Sequence, residues 1–293
     1  MSAPSRDPSL PNFLVIGAMR SGTTSLFHYL RAHPQVWMSP LKEVEFFIEE
    51  GNWWRGLDWY RRRFGDRSKA LAIGEASTAY AKYPEHLGVP ERIAACLPDV
   101  RLIYLVRDPI ERIRSHYEHR VHVGSERSPL QEAVVREPSY VNCSRYGLQL
   151  ERYLEWFPRE RILVTTSEEL RTSREKTMQR VYEFLGVDAD VRPDAMQREF
   201  YTSQGRATYP PFMWSIRRFV KHRVPVAKRA KEFIDSGIPR SLGRLSVPSS
   251  SPMRPRSAPV PDSVRRQLAA VLREDIERLR RYMPEGFGGW GIG

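Results

Sequence analysis

Residues 13–30 read FLVIGAMRSGTTSLFHYL. Phe13-Leu14-Val15-Ile16 is a short apolar run with β-branched members, the kind that forms a strand buried on both faces. Gly17 ends the run, small and polar residues turn the chain, and Thr23 to Leu30 takes up helical spacing. Strand, glycine-bearing turn and helix N-terminus, in that order, make an anion site. Backbone N–H groups converge there, and the helix dipole adds partial positive charge. The spacing Gly17-x4-Gly22-Thr23-Thr24 departs from a nucleoside triphosphate P-loop at one decisive place. Thr23 stands where that loop has the lysine that reaches the outer phosphates. The cation here is Arg20, inside the turn. The stretch predicts a loop for a phosphate-type group without Mg-triphosphate chemistry; its bland counterpart is a strand-to-helix turn that binds nothing.

A second stretch has the same grammar. Residues 101–117, RLIYLVRDPIERIRSHY, give an apolar strand, then Arg107, then a helix led by Pro109, a residue suited to the first helical turn. GAMRSGTTSL followed by RLIYLVRDPIERIRSHY resembles the sulfotransferases that use 3′-phosphoadenosine 5′-phosphosulfate, and among them the heparan sulfate and other glycan sulfotransferase domains. The resemblance implies an α/β fold, a P-loop-like open parallel sheet flanked by helices. It implies that Arg20, Ser21, Gly22, Thr23, Thr24 and Ser25 hold the 5′-phosphosulfate, and that Arg107 and Ser115 hold the 3′-phosphate. Ser203-Gln204-Gly205-Arg206 resembles the Thr-Lys-Gly-Arg loop that closes over the donor in that family. Ser203, Gly205 and Arg206 therefore join the donor-binding set, with Gln204 in place of a lysine.

The catalytic expectation rests on Leu41-Lys42-Glu43-Val44-Glu45-Phe46-Phe47, which resembles the family's Lys-Glu-Pro-His-Phe-Phe stretch. Sulfuryl transfer to a hydroxyl or amine needs a base for the acceptor's proton. The resemblance gives that role to Glu43, with Lys42 beside it and Arg20 stabilising charge on the leaving phosphate. Read without the family, the same residues form a solvated charged turn. Glu45 stands where the glycan enzymes have His. Gly74-Glu75-Ala76-Ser77-Thr78-Ala79-Tyr80 resembles their Gly-Glu-x-Ser-Pro-x-Tyr segment, and Glu75 either faces the acceptor or serves the end of a strand. His116, His119 and His122 are reserve bases. Their spacing would put neighbours on one helix face, but no carboxylate or Cys completes a metal set. NWWRGLDWYRRRF, residues 52–64, mixes aromatics with arginines in a way that suits sugar stacking or an amphipathic helix packed on the sheet.

The rest of the 293 residues bounds these readings. A hydrophobic content of 41% suits a packed core, and 47 Lys and Arg against 35 Asp and Glu imply an anionic partner. With no zinc-finger or RNA-recognition signature, that partner is expected to be the donor and an acceptor, not nucleic acid. The two cysteines, Cys96 and Cys143, are expected as reduced thiols of a cytoplasmic protein. Residues 1–11 read as a flexible lead with no signal-peptide core, unlike the Golgi-anchored glycan enzymes and similar to bacterial members. Residues 12–293 read as one domain, with a basic, Pro/Ser-rich insertion at about 210–261. Within it, 212–231 is a basic amphipathic stretch suited to a membrane surface or an anionic acceptor. Helices are expected over 83–97, 144–157 and 264–282, and a polar loop with one helix over 123–141.

The expected function is transfer of a sulfuryl group from 3′-phosphoadenosine 5′-phosphosulfate to a hydroxyl or amine of a glycan or glycosylated metabolite, with no metal. The alternatives are a protein-tyrosine or small-molecule sulfotransferase, a nucleotide kinase-like enzyme, which Thr23 disfavours, and a non-catalytic anion-binding module.

Overall fold

Phe13–Gly17 forms β1, the central strand of a five-stranded sheet ordered β2-β3-β1-β4-β5. The structure, a computed structural model, describes residues 9–64, 70–198, 200 and 259–292. Ser203, Gly205, Arg206 and the basic stretch 212–231 lie outside the described residues. The other strands are β2 (Val36–Met38), β3 (Ala72–Ala76), β4 (Arg101–Val106) and β5 (Ile162–Thr166), and every pairing is parallel. This is the open parallel sheet that the resemblance implies.

Side chains alternate across the sheet with period two. Phe13, Val15, Ile103 and Leu105 face one way, onto α1 (Thr23–Arg31) and α9 (Arg174–Leu185). Leu14, Ile16, Leu102, Tyr104 and Val106 face the other, where α3 (Val89–Cys96), α4 (Pro109–His122), α7 (Tyr146–Leu154) and a C-terminal helix, α10 (Asp262–Arg280), cover them. All five residues of β1 and of β3 are buried, as strands covered on both faces must be.

Several boundaries differ from the sequence reading. The helix expected over 83–97 begins only at Val89, because Pro84 cannot donate within a helix and Gly88 sits at φ 68°, a left-handed position. Residues 123–141 hold two short helices, α5 (Leu130–Arg136) and α6 (Ser139–Asn142), each entered through a proline, Pro129 and Pro138. The aromatic stretch makes a 3-10 turn at Trp53–Arg55 and then α2 (Gly56–Arg61), with Tyr60 buried and Trp53 and Trp59 packed on the core. A short α8 (Ser167–Thr172) follows β5 directly.

The sheet tolerates little at Gly74. It pairs in register with Phe13, and a Cβ there would stand 2.5 Å from the Phe13 ring. Gly74→Ala is expected to destabilise the fold by about 1–3 kcal/mol, because a fully packed core cannot yield the space. A urea denaturation midpoint equal to that of the parent chain would show that β1 and β3 are less tightly packed than described.

Candidate active site

In an open α/β sheet, ligands gather beyond the C-terminal ends of the strands. A cleft of about 1040 Å³ lies there, and each strand from β3 to β5 feeds it: β3 leads to Thr78, β1 to Arg20 and Thr23–Ser25, β4 to Arg107, and β5 to Ser167 and Glu168. Lys42 and Glu43 arrive from the segment after β2.

One half of the cleft is built on the turn between β1 and α1. Arg20 has φ 71° and Gly22 φ 89°, so the chain turns through two left-handed residues before the helix starts. The N-terminus of α1 carries no side-chain cap. The neighbouring α4 and α8 are capped by Asp108 and Thr166. The first turn of α1 thus meets the cleft without a side-chain cap, and the helix dipole points the same way. Arg20 donates from Nε to Ser115 Oγ at 3.1 Å, and Arg107 donates to the Arg20 carbonyl at 3.3 Å. Arg107 makes no salt bridge with the adjacent Asp108. Asp108 spends its carboxylate on the Ile110 and Glu111 amides at 2.9 and 3.1 Å. Ser21 is the exception among the loop residues: its side chain is fully buried and its N–H bonds Ala18 O at 3.2 Å, so neither group lines the cleft.

The other half carries Glu43, at φ 61°. Its N–H bonds Ala76 O at 2.8 Å, and its carboxylate accepts from Thr78 N at 2.7 Å and from the Thr78 hydroxyl at 3.2 and 3.3 Å. Lys42 forms an ion pair with it. Thr78 thus aims the carboxylate, a role the sequence reading did not assign. Glu75 does not face an acceptor: it is completely buried. Of the reserve bases, His119 lines the cleft, His122 is exposed outside it, and His116 is buried with its ring 4.6 Å from that of Tyr140.

Arg114, Arg171, Arg174 and Trp290 also line the cleft. Sequence reasoning missed them because they come from helix faces and from the chain's far end. For Ser167 and Glu168 a signal was available, since they directly follow the apolar, β-branched run Ile162-Leu163-Val164-Thr165-Thr166. Among the described residues no group of three or more His, Cys, Asp or Glu could hold a metal ion, and no helix is long and apolar enough to cross a membrane.

Residues 10–210 match the sulfotransferase domain family, more than half of the chain. The chain belongs to that family. It is 30% identical over 200 residues to the human bifunctional heparan sulfate N-deacetylase/N-sulfotransferase 2, a match covering 61% of this chain and 22% of that protein. To human heparan sulfate glucosamine 3-O-sulfotransferase 5 it is 30% identical over 213 residues, covering 68% and 59%. The chain thus spans about a fifth of the length of the N-deacetylase/N-sulfotransferases it matches. A sulfotransferase from Alicyclobacillus acidocaldarius shares the fold with a TM-score of 0.66 at 25% identity, covering 96% of this chain and 98% of that one.

Two buried groups in this sulfotransferase domain titrate with opposite consequences. Burial first, and Arg112 second, press the His116 imidazole down to about 2. Unfolded, it takes a proton near 6.5, so the stability it contributes is present above that pH and lost as the pH falls below it. Burial pushes Glu75 up to about 7, so its contribution is present in acid and lost as the pH rises through that value. His116→Phe is expected to gain on the parent chain in acid, by up to about 1.4 kcal/mol per pH unit below 6.5. Denaturation curves taken from neutral pH down to about pH 5 check this. A constant difference between the two proteins would remove His116 from the account.

Proposed function

We propose that the protein transfers a sulfuryl group from 3′-phosphoadenosine 5′-phosphosulfate to a hydroxyl or amine of a glycan or glycosylated metabolite. One observation carries the reading: the anion-binding turn and the Lys42–Glu43 turn open into the same cleft. The uncapped amides of α1, with Arg20, suit the 5′-phosphosulfate, and Arg107 and Ser115 on the β4 side suit the 3′-phosphate. The cleft's volume of about 1040 Å³ leaves room for a nucleotide and part of an acceptor.

The donor supplies the sulfuryl group and a stable leaving phosphate. Glu43 takes the proton from the acceptor's O–H or N–H as that atom's bond to sulfur forms. The sulfur–oxygen bond to the phosphate breaks, and Arg20 with the loop amides stabilises the charge left there. Lys42 stands beside the arriving sulfuryl oxygens. The family's heparan sulfate relatives favour a glucosamine-containing acceptor over a peptide or a phenol. By the family pattern Ser203, Gly205 and Arg206 complete the donor's enclosure.

The acceptor is tested with labelled donor against desulfated heparin, a tyrosine peptide and a simple phenol. Transfer to heparin amines or hydroxyls is expected, and transfer to the peptide or phenol alone would overturn the glycan reading. Arg107→Ala is expected to weaken adenosine 3′,5′-bisphosphate binding by about ten- to a hundredfold while sparing adenosine 5′-monophosphate. Calorimetry that shows equal losses for both would take the 3′-phosphate away from Arg107. Bisphosphate affinity is expected to be the same with and without EDTA; loss of binding in EDTA would bring a metal into the site.

A further inference from the structure

Glu75 is wholly buried in β3, outside the cleft wall, and no step above uses it. Three hydroxyls surround it. Tyr60 and Tyr80 lie 2.7 Å from Oε1, and Ser77 lies 2.7 Å from Oε2. The backbone settles which way two of these bonds run. Ser77 Oγ accepts from Glu45 N–H at 3.0 Å, and Tyr80 Oη accepts from Phe46 N–H at 2.9 Å. The hydrogen that orients each hydroxyl for that task points at Glu75. The amides so held belong to the segment directly after Glu43, in which Glu43 and Glu45 have φ of 61° and 52°. Non-glycine residues keep such conformations only where their surroundings impose them.

We infer that Glu75 is a positioning residue: it orients the Ser77 and Tyr80 hydroxyls, which grip the Glu45 and Phe46 amides and so hold the Lys42–Glu43 turn in the cleft. The inference rests on the reading of Glu43 as the base. The ionised carboxylate fills the role. Both of its oxygens must accept at once, whereas a glutamine offers one oxygen and an –NH2, leaving one hydroxyl hydrogen without an acceptor. Tyr60 ties the same carboxylate to α2, so the network that holds the turn also joins the end of β3 to α2. Asn52 closes the far end of the segment by donating to Val44 O at 2.8 Å.

The test is residue-resolved amide hydrogen exchange on the full chain, with bisphosphate affinity and sulfuryl transfer to desulfated heparin measured alongside. In E75Q the Glu45 and Phe46 amides are expected to exchange about tenfold faster or more, with Thr23–Ser25 and bisphosphate affinity unchanged. Transfer is expected to slow by about ten- to a hundredfold, the cost of a misplaced catalytic group. S77A should release Glu45 alone and Y80F should release Phe46, so these two carry the test if E75Q does not fold. Unchanged exchange at both amides would overturn the inference, as would a loss of bisphosphate affinity in step with the rate. Loosened amides together with normal transfer would support the grip and remove Glu43 as base, separating the two claims.

Discussion

Arg20 is where the turn between β1 and α1 is tied to β4 and α4. Its carbonyl receives the Arg107 guanidinium at the tip of β4, and its own Nε reaches Ser115 two turns into α4. A turn that carries an arginine at φ 71° would relax if left alone. Strapped to β4 and α4, it keeps the α1 amides, Arg20, Arg107 and Ser115 converging on one volume. The sheet order makes this arrangement available, because β1 lies between β3 and β4 and both neighbours run parallel to it. Each strand therefore delivers its C-terminal residue to the same edge.

The Glu43 side of the cleft is organised by a different constraint. Glu43 precedes a segment whose Glu45 and Phe46 amides are held by the Ser77 and Tyr80 hydroxyls, and those hydroxyls bond Glu75, which is sealed from water. Burial penalises the Glu75 charge, and the nearby Glu43 charge adds to that penalty, while the Ser77, Tyr80 and Tyr60 hydroxyls offset it. A buried carboxylate is a costly way to make a core. Its use here is geometric, since it sets the direction of hydroxyls that an apolar residue would leave unaligned.

Much of this was legible in the sequence. The apolar runs 13–16 and 102–106, each followed by a turn with an arginine and then a helix, give the fold and the turns that line one half of the cleft, because period and punctuation are local properties. Lys42 and Glu43 were legible by resemblance alone, since a Lys-Glu pair beyond a proline is otherwise a charged turn. The use of Glu75 was not legible. Whether a glutamate at a strand end faces a ligand or the core depends on which helix covers the strand, and here Tyr60 of α2 does. Thr78, Arg114, Arg171, Arg174 and Trp290 escaped for the same reason: they enter the cleft through tertiary packing and carry no spacing signal.

The central claim is that the cleft has one half for the donor and another for the acceptor's proton, with Glu43 belonging to the second. Single-turnover transfer from bound donor by Glu43→Gln, with bisphosphate affinity titrated on the same preparation, addresses it most directly. The account predicts transfer reduced by about a hundred- to ten-thousandfold with affinity nearly unchanged. Near-normal transfer, or affinity that falls together with the rate, would contradict it.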